Sequence, residues 1–332
     1  MHDVVIVGAG PAGLRLATLL RDLDVLVLER NRDLGSKTCS GLVSVNIESF
    51  MKIDYSWIEH RVVGADVHLP YGKLELRKPS VAAWVIDRKK FDRFLGKGLK
   101  CIKFGTKVNG VEVRRDRVVL KTSKGPVECR ILVGCDGANS IVRKHFGEKP
   151  KKVLTGIVVY SKKKDNSDHV DMWFDKKLIP DGFFWKIPRG FRTEYGAWGS
   201  KVTFRTLKSF FKLGKCSFEA APIPLGFIKT AFDRTILLGD AACQVKPWSG
   251  GGIIWSFLAA DIATKKIRKA LRGDLGALNE YDREWKRKIK KHFKKGMLMR
   301  RLYRYTPDII MNILFKLNAK PEKLNKLDMD FL

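Results

Sequence analysis

The stretch DVVIVGAGPAGLRLATLLRDLDVLVLER, Asp3 to Arg30, decides how the rest of the chain is read. An apolar run, Val4 to Val7, enters a glycine turn; an amphipathic segment follows, and a second apolar run ends in the acid Glu29. Strand, turn, helix and strand in that order predict a βαβ unit. GAGPAG sets Gly8, Gly10 and Gly13 in GxGxxG spacing. The first glycine permits the tight turn, the second lets a pyrophosphate approach the backbone, and the third lets helix and strand pack closely. The positive end of the helix then faces the phosphates. Glu29 stands where a carboxylate accepts hydrogen bonds from an adenosine ribose. Gly8, Gly10, Ala12, Gly13, Glu29 and Arg30 are therefore the expected contacts of a dinucleotide.

Composition bounds the possible partners. The chain has 332 residues, of which 45% are hydrophobic, enough for a sizeable core. Lys and Arg number 65 against 35 Asp and Glu, a formal charge of +30 that points to an anionic partner such as an acidic membrane, a phosphorylated ligand or a nucleic acid. The cysteines (Cys39, Cys101, Cys129, Cys135, Cys216 and Cys243) form no CxxC pair and share no metal-like spacing with the histidines. They read as reduced thiols of an intracellular protein, and no metal site is expected. The opening residues run directly into a strand, which argues against a signal peptide, and no apolar run is long enough to span a bilayer. A cytoplasmic location is expected.

Further along, residues 62–77 read as a hairpin, DRKKFDRFLGKGL as a helix, residues 107–122 as paired strands, and residues 130–146 as strand, turn and helix. Residues 151 to about 224 alternate apolar and polar side chains without helical periodicity, which predicts a separate sheet. TILLGDAACQVKPWSGGGIIWSFLAADIATKKIRKAL, 235–271, reads as strand, loop, glycine turn and long helix.

Two of these segments choose the cofactor. Asp136 and Gly137 in LVGCDGANS, and Gly239 and Asp240 in ILLGDAACQVKPWSGGG, each follow an apolar strand. Together with GAGPAG they resemble the FAD-binding motifs of the aromatic hydroxylase superfamily. The resemblance implies FAD, with Asp240 at its ribityl chain and Arg88 at the superfamily's arginine position. Pro247, Gly250, Gly251, Gly252 and Ile253 then open a helix whose positive end would face the flavin pyrimidine and stabilise the anionic reduced ring. For these residues the alternatives are a capped turn, a bent chain and a solvated helix-start arginine. No second GxGxxG follows, so the reductant is a transiently bound nicotinamide or an electron carrier.

Two more stretches narrow the resemblance. KTCSGLVS, 37–44, looks like the cysteine-bearing loop of archaeal geranylgeranyl reductases, and PDGFFWKIP, 180–188, matches the spacing of their PxxYxWxFP segment with Phe183 in place of the tyrosine and Ile187 in place of the second phenylalanine. The resemblance covers roughly residues 1 to 290. It implies an α/β fold in which a Rossmann-like FAD-binding domain (1–60, 83–150 and 225–280) carries an inserted antiparallel β-sheet substrate domain (61–82 and 151–224), followed by a basic helical C-terminal segment (281–332). It also implies reduction of isoprenoid double bonds. That chemistry needs a hydride donor, a proton source and a dry aromatic cavity. Pro180, Phe183, Phe184, Trp185 and Pro188 are expected to line the substrate, with sheet core as the alternative. Cys39 is a candidate proton relay, and an inert thiol is the alternative. The rivals are a flavin monooxygenase or halogenase, since FFWKIP differs from the halogenase WxWxIP only at its first aromatic, and a nonenzymatic lipid- or nucleic-acid-binding protein.

In YDREWKRKIKKHFKKGMLMRRLYRY, 281–305, Trp285, Ile289, Phe293 and Met297 recur every fourth residue among lysines and arginines. A basic amphipathic helix suits an anionic bilayer surface, with a stripe packed on the protein and solvated charges around it as the alternative. The expectation is a peripheral protein at the inner face of the cell membrane, with nucleic acid disfavoured because no nucleic-acid fold motif is present.

Overall fold

The structure is a computed structural model that describes residues 1–318 and 328–331; residues 319–327 and 332 of the predicted C-terminal segment lie outside the described residues. Two large sheets dominate it. The first is built around His2–Val7, flanked in parallel by Val25–Leu28 on one side and by Gly125–Gly134 on the other. Thr235–Leu237 extends the sheet in parallel beyond Gly125–Gly134, and Ile102–Lys103 forms the far edge. The hairpin strands Val108–Val113 and Val118–Thr122 attach antiparallel to Gly125–Gly134. Val4, Val5 and Ile6 are fully buried, as a central strand covered on both faces requires.

The helices Pro11–Leu19 and Ile253–Leu271 pack side by side over one face, joined by an Arg15–Asp261 ion pair of 2.8 Å. The helix Gly276–Tyr305 lies against the second of them and sends Tyr281, Trp285, Ile289 and Phe293 into the same core. This corrects the reading of the Trp285 stripe as a membrane face. Its first three members are at most 8% exposed, and only Met297 of the four faces solvent. Amphipathicity fixes which face of a helix is apolar and leaves open what covers it.

The second sheet has seven strands in the order Glu219–Leu225, Lys152–Ser161, Thr193–Gly199, Phe183–Pro188, His169–Trp173, Gly64–Leu69 and Gly72–Arg77. Its pairings are antiparallel except between His169–Trp173 and Gly64–Leu69, which run parallel. That junction joins the early hairpin to strands that come about a hundred residues later, so no tight turn constrains its direction. Sequence reading also missed the helix Phe204–Phe210, which Thr203 caps by accepting from Thr206 N. A three-stranded sheet, Leu42–Ser44, Ala83–Ile86 and Ile58–Val62, bridges the two larger ones. Arg189 pins this junction: it is 1% exposed, pairs with Glu59, donates to Glu194 Oε2 at 2.9 Å and reaches Ser40 O at 2.6 Å.

Candidate cofactor and substrate site

Gly8 sits at φ +101°, and a side chain there would strike the Cys135 carbonyl. At Gly13, Cys135 Cβ would lie 3.3 Å from an added Cβ, and the Gly8 carbonyl would lie closer still. These two glycines are thus fixed by the protein's own packing. Gly10 is different: it precedes the helix Pro11–Leu19, and an added Cβ would meet nothing within 4 Å. That open space over a helix N-terminus is where a pyrophosphate fits. Glu29 Oε2 accepts from Ala9 N at 2.8 Å, and its Oε1 accepts from Asn31 N and Nδ2 at 2.9 and 2.8 Å. The carboxylate is held against the glycine turn with lone pairs to spare for ribose hydroxyls. Arg30 is exposed beside it.

The later motifs converge on the same turn. A Cβ at Gly8 would lie 3.0 Å from Asp136 Cα, and one at Gly239 would lie 3.0 Å from Ala12 Cβ. Asp136 Oδ2 accepts from Ile141 N and Val142 N at 2.6 and 3.2 Å, while its Oδ1 is buried without a partner. Burial raises the Asp136 carboxyl above its ordinary range. A buried oxygen with no partner marks a place for a ligand donor. Gly137, at φ +77°, leaves open space beside it. Gly252 caps the helix Ile253–Leu271, and an added Cβ there would stand 3.5 Å from Asp240 Oδ1. Together these residues fit FAD: a phosphate cradle, a ribose acid, a second acid for the ribityl hydroxyls and a helix N-terminus for the ring.

Several residues that hold this site went unnoticed in the sequence. Lys37 of the cysteine loop pairs with Asp240. Arg143 donates to Ala241 O at 3.2 Å and to Ala138 O, tying the two acid loops together. Gln244 accepts from Gly239 N at 2.7 Å and donates to Tyr281 OH at 2.9 Å. Lys37 stands two residues before Cys39 in the quoted loop, and its charge there was the available signal. Arg88 is buried and bonds Asp92 at 3.0 to 3.3 Å. Burial opposes its charge, but Asp92 and the neighbouring Cys39 thiol raise its pKa overall. The Cys39 sulfur also accepts from Gly41 N at 3.4 Å.

The aromatic segment divides as strand alternation requires. Phe183 packs with Trp198, Leu154, Leu225 and Val245, and Trp185 borders the same cluster. Both therefore face the loop that carries Lys246 and Pro247. Phe184 lies on the opposite face, stacked on Phe210 with centroids 3.9 Å apart. It belongs to the packing between sheet and helix, and the expectation that it lines a substrate is corrected. Trp185 Nε1 donates to Glu194 Oε1 at 2.8 Å, and Pro188 is buried where the strand ends. Pro180, half-buried, precedes Asp181, which is paired with Lys152 and Arg300. Arg300 in turn donates to Pro247 O at 3.1 Å and lies 4.8 Å over the Trp198 ring. The long helix thereby touches both walls. Trp248 stands edge-on to Trp255, 5.6 Å apart. Among the described residues, Asp66, His68 and Asp171 could bring three ligand atoms within 4.8 Å, but Lys73, Arg77 and Lys186 already pair with these carboxylates.

The fold and these motifs define the class: an FAD-dependent oxidoreductase built on a Rossmann-like dinucleotide-binding domain. Residues 6–52 match the NAD(P)-binding Rossmann-like domain family. The chain is 25% identical over 98% of its length, and 93% of the relative's, to a digeranylgeranylglycerophospholipid reductase of Methanothrix thermoacetophila. It is 28% identical to an uncharacterized protein of Methanocaldococcus jannaschii, covering 99% of this chain and 89% of that one. The fold matches the crystal structure of a geranylgeranyl bacteriochlorophyll reductase-like protein from Thermoplasma acidophilum with a TM-score of 0.86, at 20% identity, over 98% and 92% of the two chains. The resemblance to archaeal geranylgeranyl reductases is borne out along nearly the whole chain. No helix among the described residues is long and apolar enough to cross a membrane.

Proposed function

We propose that this protein is an FAD-dependent reductase that saturates the C=C bonds of geranylgeranyl chains in archaeal-type membrane lipids or their precursors. The observation that carries the reading is the shared cluster of Phe183, Trp185, Trp198 and Val245, which sets an aromatic wall against the loop leading into the glycine turn. Bound and reduced, FAD supplies a hydride from its N5 to an alkene carbon. The chain's own residues do the rest. Phe183 and Trp185 hold the apolar chain and exclude water, and ring faces stabilise positive charge developing on the hydride-accepting carbon as the other carbon is protonated. Cys39, beside Arg88, is the proposed proton donor to that other carbon. The electron donor is a nicotinamide or a small carrier.

The test is anaerobic: the flavin-loaded protein is reduced with dithionite, digeranylgeranylglyceryl phosphate is added, and flavin oxidation is followed with mass spectrometry of the lipid. Reoxidation with a gain of about 2 Da per bond supports the reading. A flavin that stays reduced until oxygen enters overturns it in favour of a monooxygenase.

A lipid substrate requires access to a bilayer. Leu298, Leu302, Ile309 and Ile310 are all more than 45% exposed, and Lys294, Lys295, Arg301 and Arg304 are exposed around them. This surface, rather than the Trp285 stripe, is proposed to dock on anionic lipid. Replacing Leu302 and Ile310 together by Asp is expected to abolish cosedimentation with phosphatidylglycerol vesicles without altering thermal stability, and undiminished cosedimentation overturns the assignment.

A further inference from the structure

The residues Asp328–Phe331 thread between the strand Leu42–Ser44 and the glycine turn, and the donors that hold them come from three separate segments. Ser44 Oγ donates to Asp330 Oδ2. Asn46 Nδ2 donates to Asp328 Oδ1 at 2.8 Å and to Asp330 Oδ2 at 3.0 Å. Lys246 Nζ donates to Asp330 Oδ1 at 2.6 Å and to Met329 O at 3.0 Å. The Trp248 and Trp255 indoles donate to the backbone carbonyls of Met329 and Asp330 at 3.3 and 3.1 Å. In each of these bonds the surrounding wall donates and Asp328–Phe331 accepts, and of these donors Lys246 is the charged one.

Lys246 is 7% exposed and Asp330 1%. A buried ammonium needs a counter-charge, and among the described residues only Asp330 pairs with Lys246. Met329 packs against the cluster of Val85, Val170 and Ile187, which Trp185 also borders. The segment thus stands where the aromatic wall meets the glycine turn. Beside it lies a cavity of about 140 Å³, bordered by Ser44, Asn46, Lys78, Asp328 and Met329.

We propose that Ser44, Asn46 and Lys246 form an anion subsite of the substrate pocket, that it takes the phosphate of an isoprenoid lipid, and that Asp330 is an internal competitor for it. The anion preference stands on the donor array, while the identity of the lipid rests on the reductase reading. A phosphate offers more acceptor oxygens than a carboxylate to a hydroxyl, an amide and an ammonium arranged in this way. Because Asp330 must leave first, the apparent affinity is the intrinsic affinity multiplied by the fraction of molecules in which Asp330 has left the site.

Calorimetry on the flavin-loaded full chain tests this, with inorganic phosphate, digeranylgeranylglyceryl phosphate and uncharged digeranylgeranylglycerol as probes, the lipids dispersed in detergent. Asp330→Asn is expected to tighten both phosphate probes about tenfold, and Lys246→Gln to lower the affinity ratio of phosphorylated over uncharged lipid about tenfold. Ser44→Ala, which removes a donor and no charge, shifts that ratio the same way by less, and truncation after residue 327 repeats the effect of Asp330→Asn. Flavin content and thermal unfolding identify any variant that fails to fold. An unchanged ratio in both Lys246→Gln and Ser44→Ala overturns the subsite. Tighter inorganic phosphate in Asp330→Asn with no change in the lipid ratio overturns the head-group assignment and leaves a site for free phosphate. Binding as predicted by a chain that reduces no alkene keeps the subsite and overturns the reductase reading alone.

Discussion

Gly296, in the middle of the thirty-residue helix Gly276–Tyr305, lies directly beneath Trp248: a Cβ there would stand 2.9 Å from Cζ3 of the indole and 2.7 Å from Pro247 Cγ. Glycine in a helix interior costs about 1 kcal/mol relative to alanine. Its presence here lets the helix come close enough for Arg300 to reach Pro247 O. Gly296→Ala is therefore expected to destabilise by about 1–3 kcal/mol despite the better helix propensity, and to loosen flavin binding. Thermal unfolding and flavin titration measure both; a stabilised variant would show that the loop moves freely.

The glycines of the first turn divide by what an added side chain would meet. Gly10→Val is expected to leave the folded chain as stable as before while abolishing flavin binding, because its Cβ enters open space. Gly13→Val, against the Gly8 carbonyl, is expected to cost on the order of 3 kcal/mol in the chain itself. Circular dichroism melts of the flavin-free proteins separate the two, and stoichiometric flavin in folded Gly10→Val would sink the phosphate-cradle assignment.

Phe184 and Trp185 are neighbours in sequence with opposite expected phenotypes. Phe184→Ala removes a fully buried ring and is expected to cost about 3–5 kcal/mol with little change in kcat/KM for the protein that remains folded. Trp185→Ala is expected to keep flavin bound and to lower kcat/KM for a long prenyl substrate by about tenfold or more. Equal kinetic losses in the two variants would refute the division of faces.

Burial pushes the Glu194 carboxyl up from 4.5 to about 7, against the attraction of Arg189 and the hydrogen bond from Trp185. Between those values the folded chain binds a proton that the unfolded chain has released, so stability falls as pH rises from about 4.5 through about 7. Glu194→Gln is expected to remove this contribution. Denaturant melts across the window would show equal slopes in both proteins if Glu194 were not its source.

What was legible in the sequence was local. Gly8, Gly10, Gly13 and Glu29 lie within one βαβ unit whose geometry their spacing dictates, and the acids Asp136 and Asp240 each announce themselves at the end of an apolar strand. What was not legible needed a partner far along the chain. Lys246 reads as one lysine among many until Asp330, 84 residues away, is seen beside it. Trp285, Ile289 and Phe293 made the right stripe, and the sequence favoured a bilayer over the protein core that covers it, because both ask the same of a helix face. Phe184 was grouped with Phe183 and Trp185 by the motif, although strand alternation already sends it to the opposite side. The helix Phe204–Phe210, only two turns long, left too short a period to detect.

The strand Thr235–Leu237, which completes the nucleotide-side sheet beside Gly125–Gly134, also bears on how the molecule is made. During synthesis the glycine turn leaves the ribosome first, yet Gly239, Asp240 and the helix Ile253–Leu271 that cover it come more than two hundred residues later. At about 5–20 residues per second the nascent chain waits at least ten seconds or so with one face of its first βαβ unit uncovered. A chain stalled before residue 235 would carry the most recognisable motif of the protein and still be unable to keep a flavin.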